Sequence, residues 1–459
     1  MKMKFSAPLD KQFQPMELVM REYEADVAAN AHQKLYLALE RSDACVERFD
    51  LDILADGADD AYTCAIIERF VKTILWVVGG WKITVCGSKV VYDFLCDAYR
   101  KGGLREFDVW FMSRVYERPF EIAWAETPEA MPAPRKNPCA VGRHLKGCRI
   151  GFDAGGSDRK VSAVIDGEAV FSEEVVWFPK INSDPDYHYE GIVSALKSAA
   201  EHLPRVDAVG VSSAGVYIND RTMNASLFLK VPPEQFEAKV KDIYIRAITD
   251  TFGNVPFCVV NDGDVTALAG AMSLGENNVL GIAMGTSEAG GFVDCEGRIT
   301  GWLNELAFMP VDANPVAMRD EWSLDIGCGV KYFSQDGVIK LAPAAGIELG
   351  ESLSPADKLK AVQALMADGD ERAAAIYRSI GVYLAHSLVY YSALYGCKNV
   401  LLLGRVMSGK GGELLLESCR RVLADEYPEA AEFINIALPD EKFRRVGQSA
   451  VAASLPAVD

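Results

Sequence analysis

A glycine-rich turn at residues 153–157, with the sequence DAGGS, could bind phosphate. Its two glycines let backbone N–H groups approach phosphate oxygens, and Ser157 could add a hydroxyl and Lys160 a positive charge. Asp153, at the end of the preceding predicted strand, could orient Mg²⁺ through water. An ordinary hairpin turn would explain the same residues without a ligand. The predicted phosphate ligands are Gly155, Gly156, Ser157 and Lys160, beside Asp153.

A second turn of this kind occurs at residues 285–291, with the sequence GTSEAGG. Gly285 supplies flexible backbone, and Thr286 and Ser287 supply hydroxyls, so we predict a second phosphate clamp here. One such turn after a predicted strand could occur by chance, but two in the same chain would rarely do so. Together they predict a nucleotide that lies across both turns, with Mg²⁺ offsetting the charge of its phosphates.

A carboxylate lies between the two turns in the sequence. Asn261 and Asp262 follow a predicted buried strand over residues 256–260 and precede a predicted helix. A kinase needs a group that accepts the proton of a sugar hydroxyl as it attacks the γ-phosphate, and Asp262 fits that task. Asn261 could hold neighbouring hydroxyls. The alternative is that Asp262 or Asp264 is a helix N-cap, which suits Asp264 well.

Two further polar segments could contact the same ligands. Glu305 could accept two hydrogen bonds from vicinal sugar hydroxyls, although it could equally be a surface glutamate. Residues 404–411, GRVMSGKG, nearly match the P-loop pattern, but Gly411 stands where a Ser or Thr would hold Mg²⁺. We therefore interpret 404–411 as a glycine turn that lies against an adenosine ring.

The elements that must position these residues recur along the chain. Residues 148–272 and 273–459 each begin with strands around a glycine turn and continue with helices and strands. This weak repeat of topology predicts an α/β fold with two ribonuclease-H-like (actin/hexokinase-type) lobes and a ligand cleft between them. The last helix of the second lobe could pack back on the first.

The residues before these lobes predict an extra N-terminal α/β domain over 1–125. Within it, we predict a strand over 81–87, an amphipathic helix over 89–100 and one or two strands over 106–122. Residues 126–147 contain four prolines and no periodicity, which predicts a solvated linker.

Composition argues against several classes of partner. The chain has 47 basic and 65 acidic residues, and its net charge of −18 opposes binding to nucleic acid or anionic lipid. No apolar run reaches the ~18 residues that span a bilayer, and the N-terminus lacks an apolar signal core, so we expect a cytoplasmic protein. Eleven cysteines without C-x-x-C pairs indicate reduced thiols, and five histidines leave little for metal clusters.

The ordered motifs IGFDAGGS, VGVSSAG, VVNDGDVTALAG, IAMGTSEAGGFVD, NELAFMPVD and VLLLGRVMSG resemble the ROK family of sugar kinases and regulators, within the actin/hexokinase/Hsp70 superfamily. The resemblance covers about residues 148–459. It implies that Asp262 is the catalytic base and that Asn261 and Glu305 bind sugar hydroxyls. It places Ser213 and Gly215 on the sugar side of the cleft, and Gly404 and Arg405 in the adenosine loop.

The sequence departs from the family pattern in two places. Phe308 stands where ROK kinases usually carry a histidine, three residues after the matching glutamate. At residues 322–334, WSLDIGCGVKYFS replaces the cysteine-rich zinc motif and contains one cysteine, Cys328. The zinc orders the surroundings of that histidine, so losing both is consistent, and we expect no structural zinc. Phe308 would change the sugar preference by offering a stacking face in place of a hydrogen bond.

These observations predict a glucokinase-like, ATP-dependent carbohydrate kinase that uses Mg²⁺ and phosphorylates a hexose or related sugar. A non-catalytic sugar-binding ROK-type regulator or sensor is the alternative, favoured by the missing histidine. An ATPase domain that acts on a protein partner is a second alternative. The expected ligands are sugar and ATP, without nucleic acid or membrane, and the resemblance suggests a homodimer.

Overall fold

The computed structural model describes residues 3–136, 141–439 and 447–458. The N-terminal block has four helices, Met16–Ala29 (α1), Asp60–Val77 (α2), Lys89–Ala98 (α3) and Glu106–Tyr116 (α4). Its four strands are His32–Glu40 (β1), Val46–Leu54 (β2), Lys82–Cys86 (β3) and Glu121–Trp124 (β4). They form one sheet in the order β2-β1-β3-β4, in which β3 and β4 are parallel.

Helix α4 shows that the prediction of strands over residues 106–122 was wrong for most of that segment. Considered one at a time, the aromatic and β-branched residues of this segment favour a strand. In the fold, the four-residue spacing of Phe107 and Phe111 places both rings against Trp76 of α2, at centroid distances of 6.0 and 4.8 Å. Burial of these rings on a neighbouring helix overrides the local preference.

The first lobe is built on a five-stranded sheet with a small hairpin beside it. Its strands are Cys148–Ala154 (β5), Asp158–Ile165 (β6), Glu168–Val176 (β7), Ala208–Ser213 (β8), Val216–Ile218 (β9), Arg221–Asn224 (β10) and Phe257–Asn261 (β11). Its helices are Pro185–Ala200 (α5), Pro233–Gln235 (α6) and Ile243–Phe252 (α7). The sheet order is β11-β8-β5-β6-β7, and β9 pairs with β10.

The second lobe has a four-stranded sheet in the order β13-β12-β14-β15. Its strands are Val279–Met284 (β12), Glu288–Val293 (β13), Asn399–Leu403 (β14) and Asn435–Ala437 (β15). Helix Asp262–Leu274 (α8) follows β11 of the first lobe and leads into the second. The helices that follow are Gln335–Leu341 (α9), Pro355–Ala367 (α10), Glu371–Tyr395 (α11), Gly409–Glu426 (α12), Pro428–Phe433 (α13) and Gln448–Ala452 (α14). Because β13 begins at Glu288, the second glycine turn is shorter than the predicted 285–291 and spans three residues.

Strand direction confirms the predicted fold class. In the first lobe β5, β6 and β7 pair antiparallel, whereas β8 runs parallel to β5 and β11 parallel to β8. In the second lobe β12 and β13 pair antiparallel, and β14 and β15 continue the sheet in parallel. Both sheets thus have the ribonuclease-H-like arrangement of antiparallel strands followed by parallel strands, with three antiparallel strands in the first lobe and two in the second.

The C-terminal helix α14 packs on the sheet of the first lobe. Two glycines make this close approach feasible, because a Cβ atom on Gly151 would lie 1.7 Å from the Ser449 carbonyl oxygen and one on Gly210 would lie 1.7 Å from that of Ala452. The Ser449 hydroxyl also lies 2.8 Å from that of Ser162 on β6.

The N-terminal block and the second lobe share one buried apolar core. The Phe13 ring lies 4.5 Å from that of Tyr383 on α11, and the Trp76 ring lies 4.5 Å from that of Phe308. The N-terminal block is therefore packed against the second lobe over a broad apolar contact. In the part of the chain that the structure describes, no helix is long and apolar enough to cross a membrane.

Candidate active site

The carboxyl ends of three parallel strands of the first lobe lie side by side. Ser213 on β8 pairs in register with Ala154 on β5 and with Asn261 on β11. Helix α8 begins at the next residue, Asp262, so its carboxylate projects from the edge of the sheet at the start of a helix. Asp153, one residue before the end of β5, accepts a hydrogen bond from the Ser212 hydroxyl at 2.7 Å.

Asn261 is the N-cap of α8, so the prediction that Asp264 caps this helix was wrong. The Asn261 side chain accepts a hydrogen bond from the Gly263 backbone N–H at 2.7 Å and donates one to the Gly215 carbonyl at 2.7 Å. Both polar ends of this amide are therefore engaged within the protein, where they orient Asp262. Asp264 instead accepts hydrogen bonds from the Phe292 N–H at 3.1 Å and the Asn304 amide at 2.8 Å, and so ties α8 to the second lobe.

Four carboxyl groups, those of Asp153, Asp262, Asp264 and Glu305, converge around the start of α8. Burial raises the pKa of Asp262 above its ordinary value, although backbone N–H groups offset part of the rise. Burial and the neighbouring Asp262 charge raise the pKa of Glu305 to about 7. Burial also raises the pKa of Asp153 to about 6 and that of Asp264 to about 7, and the Asp262 charge adds to both. A cluster of carboxyl groups with raised pKa values can accept a proton or attract a cation.

Glu305 is held in place by the N-terminal block. The backbone N–H groups of Glu305 and Asn304 donate to the carbonyl oxygens of Trp76 and Val77 at 3.0 and 2.9 Å, at the C-terminal end of α2. Since the last carbonyls of a helix lack partners within the helix, they are free to accept these bonds. The sequence contains no local signal for this contact, because the two segments are far apart along the chain.

Ser213 and Gly215 shape the loop that follows β8. The Ser213 hydroxyl is fully buried, accepts a hydrogen bond from the Tyr217 hydroxyl at 2.6 Å and lies 2.8 Å from the hydroxyl of Tyr244. Gly215 has a φ of +142°, where a side chain would collide with the Asn224 carbonyl. Ser213 thus supports the loop from inside, and the Gly215 carbonyl holds the Asn261 amide.

The first glycine turn is held by a buried tryptophan. The Trp177 indole N–H donates to the Gly155 carbonyl at 2.8 Å, and its backbone N–H donates to the Ser157 carbonyl at 3.1 Å. The Ser157 hydroxyl donates to the Asp158 carboxylate at 3.0 Å. These contacts fix the shape of the turn.

Two lysines lie near this turn, and sequence reasoning identified one of them. The Lys160 amine lies 3.6 Å from the Asp158 carboxylate and 3.9 Å from that of Glu174, so it forms ion pairs within its own hairpin. The Lys180 side chain lies over the turn, since a Cβ atom on Gly156 would be 2.6 Å from its Cε and 2.9 Å from its Nζ. Lys180 follows β7 in a short 3₁₀ helix, Pro179–Ile181, a position without a recognisable motif.

The second glycine turn and the predicted adenosine loop are in contact. The Arg405 guanidinium donates to the Thr286 hydroxyl at 2.7 Å. Gly404, with a φ of +102°, lies so close to β12 that a Cβ atom would be 2.4 Å from the Met284 carbonyl oxygen. The Gly285 carbonyl accepts from the Gln335 N–H at 2.8 Å, and Ser287 completes the turn through its carbonyl, which accepts from the Gly285 N–H at 3.0 Å.

Phe308 does not offer a stacking face to a ligand, which corrects the expectation drawn from the sequence. Its ring is buried and lies 4.5 Å from the ring of Trp76 and 5.1 Å from that of Trp322. It therefore belongs to an aromatic cluster between the N-terminal block and the segment 322–334.

Within the described ranges 3–136, 141–439 and 447–458, no group of three or more His, Cys, Asp or Glu side chains is arranged to hold a metal ion. In segment 322–334 the Cys328 thiol is buried, and burial raises its pKa to about 12, which disfavours the thiolate that binds metals. Asp153 is the predicted Mg²⁺ residue. Burial raises its pKa and the Asp262 charge adds to the rise, so a bound cation would favour the ionised carboxylate.

Comparisons with known proteins give relatives by fold. No protein-family model matches the chain, and no curated protein matches its sequence. A ROK hexokinase from Thermus thermophilus superposes with a TM-score of 0.53 at 20% identity, over 67% of this chain and 97% of that chain. A ROK glucokinase from Streptomyces griseus, solved with glucose and AMPPNP, gives 0.48 at 19% identity over 67% and 98% of the two chains. A ROK transcriptional regulator homologous to E. coli Mlc gives 0.49 at 17% identity over 68% and 79%. Over about two thirds of its length, this chain has the fold of the ROK hexokinase.

Proposed function

We propose that this chain is an ATP-dependent sugar kinase that transfers the γ-phosphate to a hydroxyl of a hexose or related sugar. The observation that carries the proposal is the position of Asp262, half-buried at the start of α8 and close to the half-buried Glu305. The start of α8 also touches the second lobe, because a Cβ atom on Gly263 would lie 2.2 Å from the Gly290 carbonyl oxygen. The similarity to a ROK hexokinase supports a hexose as the substrate class.

In the proposed reaction Asp262 is the general base. It accepts the proton of the sugar hydroxyl as the oxygen attacks the γ-phosphorus, and the bond from that phosphorus to the bridging oxygen of ADP breaks. Glu305 accepts hydrogen bonds from other sugar hydroxyls, and Asn261 and the loop from Ser213 to Gly215 form the wall on the sugar side.

The nucleotide would lie across the two glycine turns. Backbone N–H groups at Gly155 and Gly156 would donate to the phosphates. The second turn would contribute the flexible backbone at Gly285 and the hydroxyls of Thr286 and Ser287, with the Ser157 hydroxyl nearby. Gly404 and Arg405 would border the adenosine. Mg²⁺ would be held by Asp153 and the phosphates, and when bound it would offset negative charge on the transferring group.

A screen for ATP consumption over a panel of hexoses and amino sugars tests this proposal. Turnover that depends on one class of sugar supports a kinase. Sugar binding without ATP consumption would instead indicate a sensor, and ATP hydrolysis that is independent of sugar would indicate an ATPase. Either of the last two results contradicts the proposed function.

We expect Glu305→Gln to weaken sugar binding by about tenfold to a hundredfold, because hydrogen bonds to a charged acceptor contribute roughly 1.5–3 kcal/mol. Isothermal titration calorimetry with the sugar found in the screen measures the change. Glu296→Gln, at an exposed turn of the second lobe, is the control and should leave affinity unchanged. Equal affinity of Glu305→Gln and the wild type would remove Glu305 from the sugar site.

Sugar affinity should also depend on pH through Glu305. Its pKa is raised to about 7, and the ionised carboxylate is the stronger hydrogen-bond acceptor, so affinity should fall as the pH drops through about 7. Titrations at about pH 6 and about pH 8 compare the two forms. The Glu305→Gln variant should show a smaller difference between these two conditions. An equally steep dependence in that variant would assign the titration to another group.

A further inference from the structure

The three residues directly before Lys180 are fastened to two parts of the first lobe. Trp177 is buried and bonded to the first glycine turn through Gly155 and Ser157. The Pro179 carbonyl lies 3.0 Å from Nε2 of the buried His188, and the Phe178 N–H donates to the Tyr187 hydroxyl at 3.0 Å. The 3₁₀ helix Pro179–Ile181 is thus held close to the turn by contacts that do not involve the lysine side chain. Its amine can therefore serve a ligand without disturbing the local fold.

The acidic side chains around the first glycine turn would favour a positive charge at this site. Asp153, Asp158 and Asp262 are all acidic, and the phosphates of a nucleotide would add further negative charge to this region. The charge of Lys160 is already offset by Asp158 and Glu174. In the ranges 3–136, 141–439 and 447–458, the Lys180 amine takes part in no ion pair with a carboxylate within 4.0 Å, although its charge lowers the pKa of Asp262. Lys180 is thus the more available of the two lysines.

We propose that Lys180 binds the nucleotide phosphates at the first glycine turn and stabilises the charge of the transferring phosphoryl group. This inference rests on the proposed kinase function and adds a residue to its nucleotide site. The geometry supports it because the Nζ of Lys180 lies beside Gly156, in the turn that is predicted to bind the phosphates. Its charge also acts on Asp262, the proposed general base.

Titration calorimetry with Mg·ATP, ADP and adenosine tests the proposal on the full chain. Lys180→Met should weaken Mg·ATP binding by about tenfold or more and ADP binding less, since a charge-assisted contact to phosphate is lost. Adenosine affinity should stay unchanged, because adenosine carries no phosphate. Lys180→Arg, which keeps the charge, should recover most of the ATP affinity. Lys230→Met, which removes an exposed lysine elsewhere on the first lobe, is the matched control.

Turnover adds a second measurement. Lys180→Met should lower kcat and raise the KM for ATP while the KM for sugar changes little, and Lys160→Met should weaken ATP binding less than Lys180→Met does. ATP affinity and kcat equal to those of the wild type in Lys180→Met would overturn the role of Lys180 and leave the kinase proposal intact. A parallel loss of adenosine affinity would overturn it in favour of a structural role. A wild-type chain that binds no Mg·ATP would overturn both proposals.

Discussion

Asp262→Asn is expected to lower sugar phosphorylation by about a thousandfold or more while the affinity for ATP is retained. Asparagine has nearly the same shape as aspartate but cannot take up the hydroxyl proton. The Asn261 cap does not depend on the Asp262 side chain, so α8 should begin at the same residue. A coupled assay for ADP release, together with calorimetry for ATP, measures the two quantities separately.

The stability of Asp262→Asn shows whether activity is lost through misfolding or through loss of the base, because misfolding would lower the stability. Burial raises the pKa of Asp262, so the folded chain favours the neutral carboxyl and its ionisation costs stability as the pH rises. Asparagine removes that cost, and the thermal midpoint near neutral pH should be unchanged or higher. Asp186→Asn, in the first turn of α5 but exposed, is the control and should keep full activity. If Asp262→Asn retains more than about a tenth of the activity, another group is the base.

The positions of the ligand-binding turns could be predicted because their signals are local. Glycine and small polar residues directly after an apolar strand mark the edge of a sheet, and DAGGS and NDGD both occupy that edge. The contacts of individual side chains could not be predicted in the same way. Cross-strand register places Lys160 opposite Glu174, and that register is a property of the folded hairpin.

The role of the N-terminal block could not be predicted for a different reason. Its contacts with the Glu305 segment are backbone hydrogen bonds to carbonyls at the end of α2. Almost every residue carries the same backbone groups, so the residue types at these positions do not indicate the contact. The helix α4 was missed because its rings are buried against Trp76 and Trp322, which come from two separate segments. Such packing between distant segments decides secondary structure where the local preference is weak.

A group of buried charged side chains, next to the Trp76 ring, joins the N-terminal block to segment 322–334. The fully buried Lys72 amine lies 3.0 Å from the Asp108 carboxylate and 3.2 Å from that of Asp325. Asp325 also pairs with Arg69 at 3.2 Å and with Arg105 at 2.8 Å. Burial alone would raise the pKa of Asp325, but Lys72 and Arg69 hold it below its ordinary value. Lys72 thus joins the carboxylates of Asp108 and Asp325, which come from different segments.

Lys72→Met is expected to lower the free energy of unfolding by about 3–5 kcal/mol, because it leaves the buried Asp108 carboxylate without its cation and takes one of three cations from Asp325. Urea unfolding followed by tryptophan fluorescence measures the loss. Sugar affinity should fall as well, since α2 carries Lys72 and, one turn later, the Trp76 carbonyl that holds Glu305. Calorimetry at a low temperature, where the variant remains folded, measures that second effect.

A surface ion pair of similar geometry serves as a control, because it distinguishes the effect of burial from the effect of losing a positive charge. The Lys34 amine lies 2.8 Å from the Asp52 carboxylate, but both side chains are about half exposed, so water and salt screen the pair. Lys34→Met should therefore change neither unfolding nor sugar affinity appreciably. If the two variants unfold alike, the buried charges do not hold the block in place. If Lys72→Met is destabilised but binds sugar as the wild type does, the N-terminal block stabilises the fold without positioning Glu305.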